Sequence, residues 1–127
     1  MKKKIINPPN VPKPIGPYNQ GVVVGNLLYT AGQIAIDPKT GEMSKGSVGE
    51  QTEQVLTNLR ALLEGAGTSL ENCIKVTVFL KNMTDFPKMN EIYGKFFKPQ
   101  TAPARSTIEA ARLPKDALVE IEAVAVV

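Results

Sequence analysis

Charged side chains set inside runs of strand character raise the question of chemistry in this chain. Residues 102 to 126 read A-P-A-R-S-T-I-E-A-A-R-L-P-K-D-A-L-V-E-I-E-A-V-A-V, placing Arg105, Glu109, Arg112, Glu120 and Glu122 among Ile, Val and Ala. A guanidinium offers a rigid fork of donors suited to a carboxylate, either the protein's own or a ligand's. Alternation puts Arg105, Thr107 and Glu109 on one face of the first run and groups Glu120 with Glu122 in the second. If the two runs pair as a hairpin, Arg105 and Glu120 share a face only when paired residue numbers sum to an odd value, and the turn around Leu113-Pro114-Lys115-Asp116 leaves that register open. Two readings follow. In one, Arg105, Glu120 and Glu122 form a cross-strand ion network that only stabilises the sheet. In the other, Arg105 clamps a ligand carboxylate and a glutamate holds a water or moves a proton.

Two further side chains join these candidates. Tyr18 follows an extended Gly16-Pro17 and is either a cap on the core or a hydroxyl donor in a cleft. Asn90 lies in a helical pattern whose apolar stripe is Phe86, Met89, Tyr93, Phe96 and Phe97. At about 100° per residue it falls roughly 40° from Phe86 and 20° from Phe97, inside the stripe. A buried amide there needs partners, from a strand edge or from a site opening onto the core. Arg112 and Lys115 flank the turn and read as solvated.

The rest of the composition narrows the chemistry. The chain has no histidine and a single cysteine, Cys73. That removes Ser-His and Cys-His nucleophile systems, the usual zinc and non-haem iron sites, and any internal disulfide. No metal or cofactor is expected, and Cys73 reads as a small semi-buried side chain rather than a reactive thiol. A net charge of +3 owes much to Lys2, Lys3 and Lys4, and no basic stripe is interleaved with aromatics, which argues against a nucleic-acid platform. No apolar run approaches a membrane span, and Ile5-Ile6 gives way at once to Asn7-Pro8-Pro9-Asn10, so no signal-peptide core follows the basic start. A cytoplasmic location is the expectation.

These candidates must be positioned by the elements around them. At 127 residues, 43% hydrophobic and 21% charged, the chain fits one domain over residues 1–127 with its own core. Pro8, Pro9, Pro12, Pro14 and Pro17 predict an extended lead-in. Gly21–Val24 and Leu27–Thr30, split by Gly25-Asn26, predict a tight hairpin, and Gly32–Ile36 reads as a third short strand ending at a turn over Asp37–Gly41. Ser47 with Glu50 three residues on predicts a capping box, followed by a helix ending at Gly65 or Gly67. In Cys73–Leu80, Ile74, Val76, Val78 and Leu80 alternate with Lys75 and Thr77, a strand with one buried face. The second helix is expected to start near Thr84-Asp85 as cap. The order β-β-β-α-β-α-β-β predicts a two-layer α+β domain, a mixed sheet of about six strands with both helices on one face. The uncovered apolar face predicts self-association.

At this point the motifs resemble a known family. Ile15-Gly16-Pro17-Tyr18-Asn19-Gln20-Gly21, Ala31-Gly32-Gln33-Ile34, Asp37-Pro38-Lys39-Thr40-Gly41-Glu42, Pro103-Ala104-Arg105-Ser106, Ala111-Arg112-Leu113-Pro114-Lys115-Asp116 and Val119-Glu120-Ile121-Glu122-Ala123, in that order, are similar to the RidA (reactive intermediate deaminase A, YjgF) family over nearly the whole chain. The resemblance implies a chorismate-mutase-like fold and a homotrimer with clefts between subunits. It also implies hydrolysis of 2-imino acids, such as 2-iminobutanoate and 2-iminopropanoate, to 2-oxo acids and ammonia. By the same resemblance, Arg105 is the substrate-carboxylate clamp and Glu120 the water-handling carboxylate. Tyr18, Asn90, Gly32 and Thr107 become substrate-binding positions. Two residues depart from the commonest pattern: Thr107 stands where many members have Cys, which excludes a thiol nucleophile there, and Ala31 where many have Ser. Another reading uses the same cleft without turnover, as a trimeric small-molecule-binding regulator or protein-interaction module; a ribonuclease or translation-inhibitor role has also been attached to relatives.

Overall fold

The computed structural model describes residues 1–127. Its hairpin is where Gly25-Asn26 predicts it, with Gly25 in the left-handed conformation (φ 60°) that the tight turn requires. The turn joins β2 (Gly21–Val24) to β3 (Leu27–Thr30) in antiparallel register. Helix α1 (Val48–Gly65) begins with the expected capping box: Ser47 Oγ accepts from Glu50 N at 3.2 Å, and Ser47 N donates to Glu50 Oε1 at 3.3 Å. Its buried stripe, Val55, Leu56, Leu59, Leu62 and Leu63, has no solvent exposure and packs on one face of the sheet. Cutting one such leucine to alanine costs about 2–5 kcal/mol.

Six strands form one sheet in the order β1-β2-β3-β6-β4-β5, where β1 is Lys3–Ile6, β4 Cys73–Leu80, β5 Ala104–Glu109 and β6 Val119–Val126. All pairings are antiparallel except β4 with β5, so the sheet is mixed. Helix α2 (Phe86–Phe96) packs beside α1, and Met89 and Tyr93 join the same core. This is the expected two-layer α+β arrangement. The face away from the helices exposes Ile5, Tyr29 and Ile108. No helix is long and apolar enough to cross a membrane.

The sixth strand is not the one the sequence suggests. Gly32–Ile36 forms only two isolated bridges, Gln33 to Ile121 and Ile36 to Met43. The ladder breaks because the Thr30 hydroxyl accepts the Ala123 N–H at 2.9 Å, the donor a continuing β3 would use. Lys3–Ile6 supplies the missing strand along the β2 edge, where exposed lysines deter further pairing. In β4, a register irregularity between Cys73 and Lys75 turns Ile74 outward, leaving Cys73, Val76, Val78 and Leu80 buried. Helix α2 is preceded by a short 3-10 turn at Met83–Asp85, and Asp85 makes no side-chain capping bond.

The largest departure concerns the last two strands, which do not form a hairpin. Strand β4 lies between them, parallel to β5 and antiparallel to β6. Through β4, Arg105 is level with Val76 and Ala123, while Glu120 is level with Phe79 and Ile108. Level residues share a face, and Val76 and Ala123 are buried toward the helices. Arg105 therefore points to the helix side and Glu120 to the open side.

Candidate active site

Glu120 sits where the sheet has a gap. With β3 ended at Thr30, the Ala31–Ile36 segment crosses beside β6 and leaves a cavity of about 580 Å3, lined among others by Pro12, Tyr18, Gln20, Gly32, Gln33 and Glu120. The segment is held at both ends. Gln33 exchanges backbone bonds with Ile121 at 2.8 and 3.1 Å, and the buried Asn58 of α1 donates Nδ2 to Ile36 O at 2.8 Å. Gly32 packs against the Glu120 carboxylate so closely that an added Cβ would lie 2.8 Å from its Cδ. The proline-rich lead-in forms the opposite wall, where Tyr18 is 46% exposed.

Two buried glutamines connect these walls. Gln33 Nε2 donates to Gln20 Oε1 at 2.8 Å, Gln20 Nε2 donates to Pro12 O at 2.7 Å, and Gln20 N donates to Asn7 Oδ1 at 2.9 Å. Neither glutamine was singled out from the sequence. The available signal was an amide flanked by small and apolar residues in Ala31-Gly32-Gln33-Ile34, which has to be satisfied once buried. Burial first, and then the neighbouring Glu122 carboxylate, raise the pKa of Glu120 from its ordinary value. Glu122 is two residues along β6, on the same face.

Arg105 belongs to a different environment. Its guanidinium lies over the Tyr93 ring at 4.5 Å and the Phe86 ring at 5.4 Å, and Nη1 donates to Asn90 Oδ1 at 2.8 Å. Asn90 is thus exposed on α2 rather than buried in its stripe, because Phe97 has left the helix with extended backbone and the sheet side is filled by Met89, Ile92 and Tyr93. Thr107, half-buried, shares the Arg105 face, level with Val78 and Ile121. The ion-network reading does not hold: the only ion pairs are Lys88–Glu91 and Arg112–Asp116, so Arg105 has no carboxylate partner. Arg112 is engaged in that pair at 2.8 Å across a turn in which Lys115 and Asp116 both take φ 54°.

The candidates thus divide into two groups. Tyr18, Gly32 and Glu120 line one cavity; Arg105 reaches Asn90 of α2, and Thr107 lies two residues along β5 on the same face. Two strand spacings and three residues of offset place the Arg105 and Glu120 Cα atoms roughly 14 Å apart on opposite faces. One small ligand does not reach both within a single protomer. No cluster of three or more His, Cys, Asp or Glu side chains is positioned to hold a metal ion.

A family model described as Endoribonuclease L-PSP matches residues 9–127. A RutC family protein of Pyrococcus horikoshii is 58% identical over 123 residues, 97% of either chain. The 2-iminobutanoate/2-iminopropanoate deaminase of Escherichia coli K12 is 48% identical over 97% of either chain. The crystal structure of E. coli TdcF with bound serine superposes with a TM-score of 0.91 at 44% identity, covering 98% of each chain.

Proposed function

The chain belongs to the RidA family, whose family model is described as Endoribonuclease L-PSP, and from that premise we propose that it is a deaminase hydrolysing reactive 2-imino acids to 2-oxo acids and ammonia. The observation that carries this reading is Arg105: a guanidinium held by an amide and two rings, with no protein carboxylate to neutralise it. Such a group suits a ligand carboxylate through two parallel N–H···O bonds. A 2-imino acid places its C=N carbon one bond from that carboxylate, so Arg105 fixes the reacting carbon.

Water addition then needs a base on that carbon, and Glu120 meets the requirement. Burial and the neighbouring Glu122 raise its pKa, which makes it a stronger proton acceptor than a solvated glutamate. Glu120 takes a proton from water as the oxygen adds to C=N. Return of that proton to nitrogen completes the carbinolamine, and transfer of its hydroxyl proton to the amino nitrogen breaks the C–N bond, expelling ammonia as the C=O of the 2-oxo acid forms. Gly32 leaves room for the carboxylate, and Tyr18 and Thr107 offer polar contacts at the rim. Positioning plus general base assistance of about 10²–10⁴ serves for imines, which already hydrolyse in water.

Because the two half-sites of one chain face opposite ways, the complete site forms between copies, with Arg105 from one subunit and Glu120 from the next. A homotrimer with three such clefts fits this requirement and covers the apolar open face. The test is production of 2-oxobutanoate and ammonia from freshly generated 2-iminobutanoate. Acceleration that disappears in Arg105→Ala, with fold and assembly retained, is the expected result. Saturable 2-oxobutanoate binding without any acceleration would favour the regulator reading instead.

A further inference from the structure

Arg105 sits on an edge strand, where a long side chain has every opportunity to sample solvent. Instead three groups of α2 surround its guanidinium. Asn90 Oδ1 takes one N–H, Tyr93 lies under the cation at 4.5 Å, and Phe86 flanks it at 5.4 Å. Tyr93 is itself immobilised: it is 6% exposed and stacks on Phe97 with ring centroids 4.5 Å apart. Its hydroxyl is buried and makes no hydrogen bond within the protomer, and the Arg105 charge opposes the upward push that burial gives its pKa. What Tyr93 presents to the cation is its ring face, with the guanidinium carbon 4.5 Å from the ring centroid.

We propose that Tyr93, with Phe86 as the outer wall, is a positioning residue for the substrate-carboxylate clamp: the ring face holds the Arg105 guanidinium in place of a protein carboxylate. The distinction has a chemical consequence. A carboxylate partner would order Arg105 but occupy its fork and cancel its charge. A ring quadrupole attracts the cation while using none of its N–H donors, so the edge not bonded to Asn90 stays open for an incoming carboxylate. This inference rests on the deaminase reading for its substrate and on geometry alone for the cradle.

The experiment therefore reads the two separately in the intact assembly. In 15N-labelled protein, the Arg105 Nε–H resonance, assigned by its loss in Arg105→Lys, is expected to be displaced by the ring current of Tyr93. It should keep that displacement in Tyr93→Phe and lose it in Tyr93→Leu. Removing one half-buried cation–π contact is expected to raise KM for 2-iminobutanoate and Kd for 2-oxobutanoate about tenfold in Tyr93→Leu, with kcat within about twofold and Tyr93→Phe close to wild type. Phe86→Leu, on the half-buried side, gives a smaller shift in the same direction and substitutes if Tyr93→Leu fails to fold. An unchanged Arg105 resonance and unchanged KM and Kd in folded Tyr93→Leu, or in folded Phe86→Leu where it substitutes, overturn the proposal. So does a Tyr93→Phe variant as impaired as Tyr93→Leu, which would assign the effect to the hydroxyl. A wild-type protein that turns over no imine yet shows the ring-displaced resonance, abolished by Tyr93→Leu, supports the cradle and sinks the reaction.

Discussion

Arg105 and Glu120 lie on opposite faces of one sheet, on strands separated by β4, with Arg105 level with Ala123 and Glu120 level with Ile108. If both act on one ligand, they act from different subunits. Arg105→Ala and Glu120→Gln should then each be inactive alone. Unfolded, mixed in equal amounts and reassembled, they should recover about one cleft in four, the fraction that draws Arg105 from one parent and Glu120 from the other. Activity of the mixture is the measurement, and a mixture as dead as its parents would place both residues in one protomer's site or none.

Gly32→Ala tests the fit of the Glu120 carboxylate. A Cβ at that position would lie 2.8 Å from Glu120 Cδ and 3.0 Å from Cγ, so the flexible carboxylate must move. The expected outcome is a large fall in kcat with stability changed by less than about 1 kcal/mol, because a side-chain end moves rather than backbone. Paired denaturation curves and kinetics give both numbers.

The raised pKa of Glu120 makes a prediction with two signs. As a base it must be ionised, so kcat/KM should fall on acidification at a pH above that expected of an ordinary glutamate, about 4.3. For stability, the folded state binds the proton more tightly than the unfolded chain. The favourable contribution is present in full below the unfolded pKa and is lost as pH rises through the folded one. At pH 7 Glu120→Gln should therefore raise Tm while removing activity; a Tm that falls would show the carboxylate to be stabilising.

The open face should be the surface that copies share. Ile108 is 47% exposed there, level with Glu120 across β4. Ile108→Glu is expected to lower the oligomeric mass in light scattering and to abolish turnover together, while the far-ultraviolet circular dichroism of the protomer persists. Retained mass with a charge at this position would move the interface elsewhere.

The capping box offers a control remote from the chemistry. Ser47→Ala removes the bond from Glu50 N and should cost about 1 kcal/mol. Thermal melting should show it, with KM unchanged.

Much of the fold is legible because its signals are local. Ser47 and Glu50 are three residues apart, Gly25-Asn26 turns within its own hairpin, and the leucine spacing of α1 reports a face that any packing partner would bury. Where a distant group intervened, the local pattern misled. Gly32–Ile36 has strand composition, but a hydroxyl from Thr30 takes the donor it needs on β6. Ile74 continues an apolar alternation that a β-bulge interrupts. Asn90 projects into the stripe of an ideal helix, yet α2 ends before Phe97 and turns the amide outward to Arg105.

By itself the sequence determined which chemistries were possible: no histidine, a single cysteine, and an arginine and glutamates inserted in runs of strand character. Residue types carry that information without reference to position in space. Only the tertiary structure decided which face each charge occupies. Facing direction depends on strand order, and inserting β4 between β5 and β6 sets a register that neither strand encodes alone. The same insertion leaves Arg105 without a glutamate partner and gives it rings instead, which is why the ion network that alternation allows resolves into two separate groups on opposite faces of one sheet.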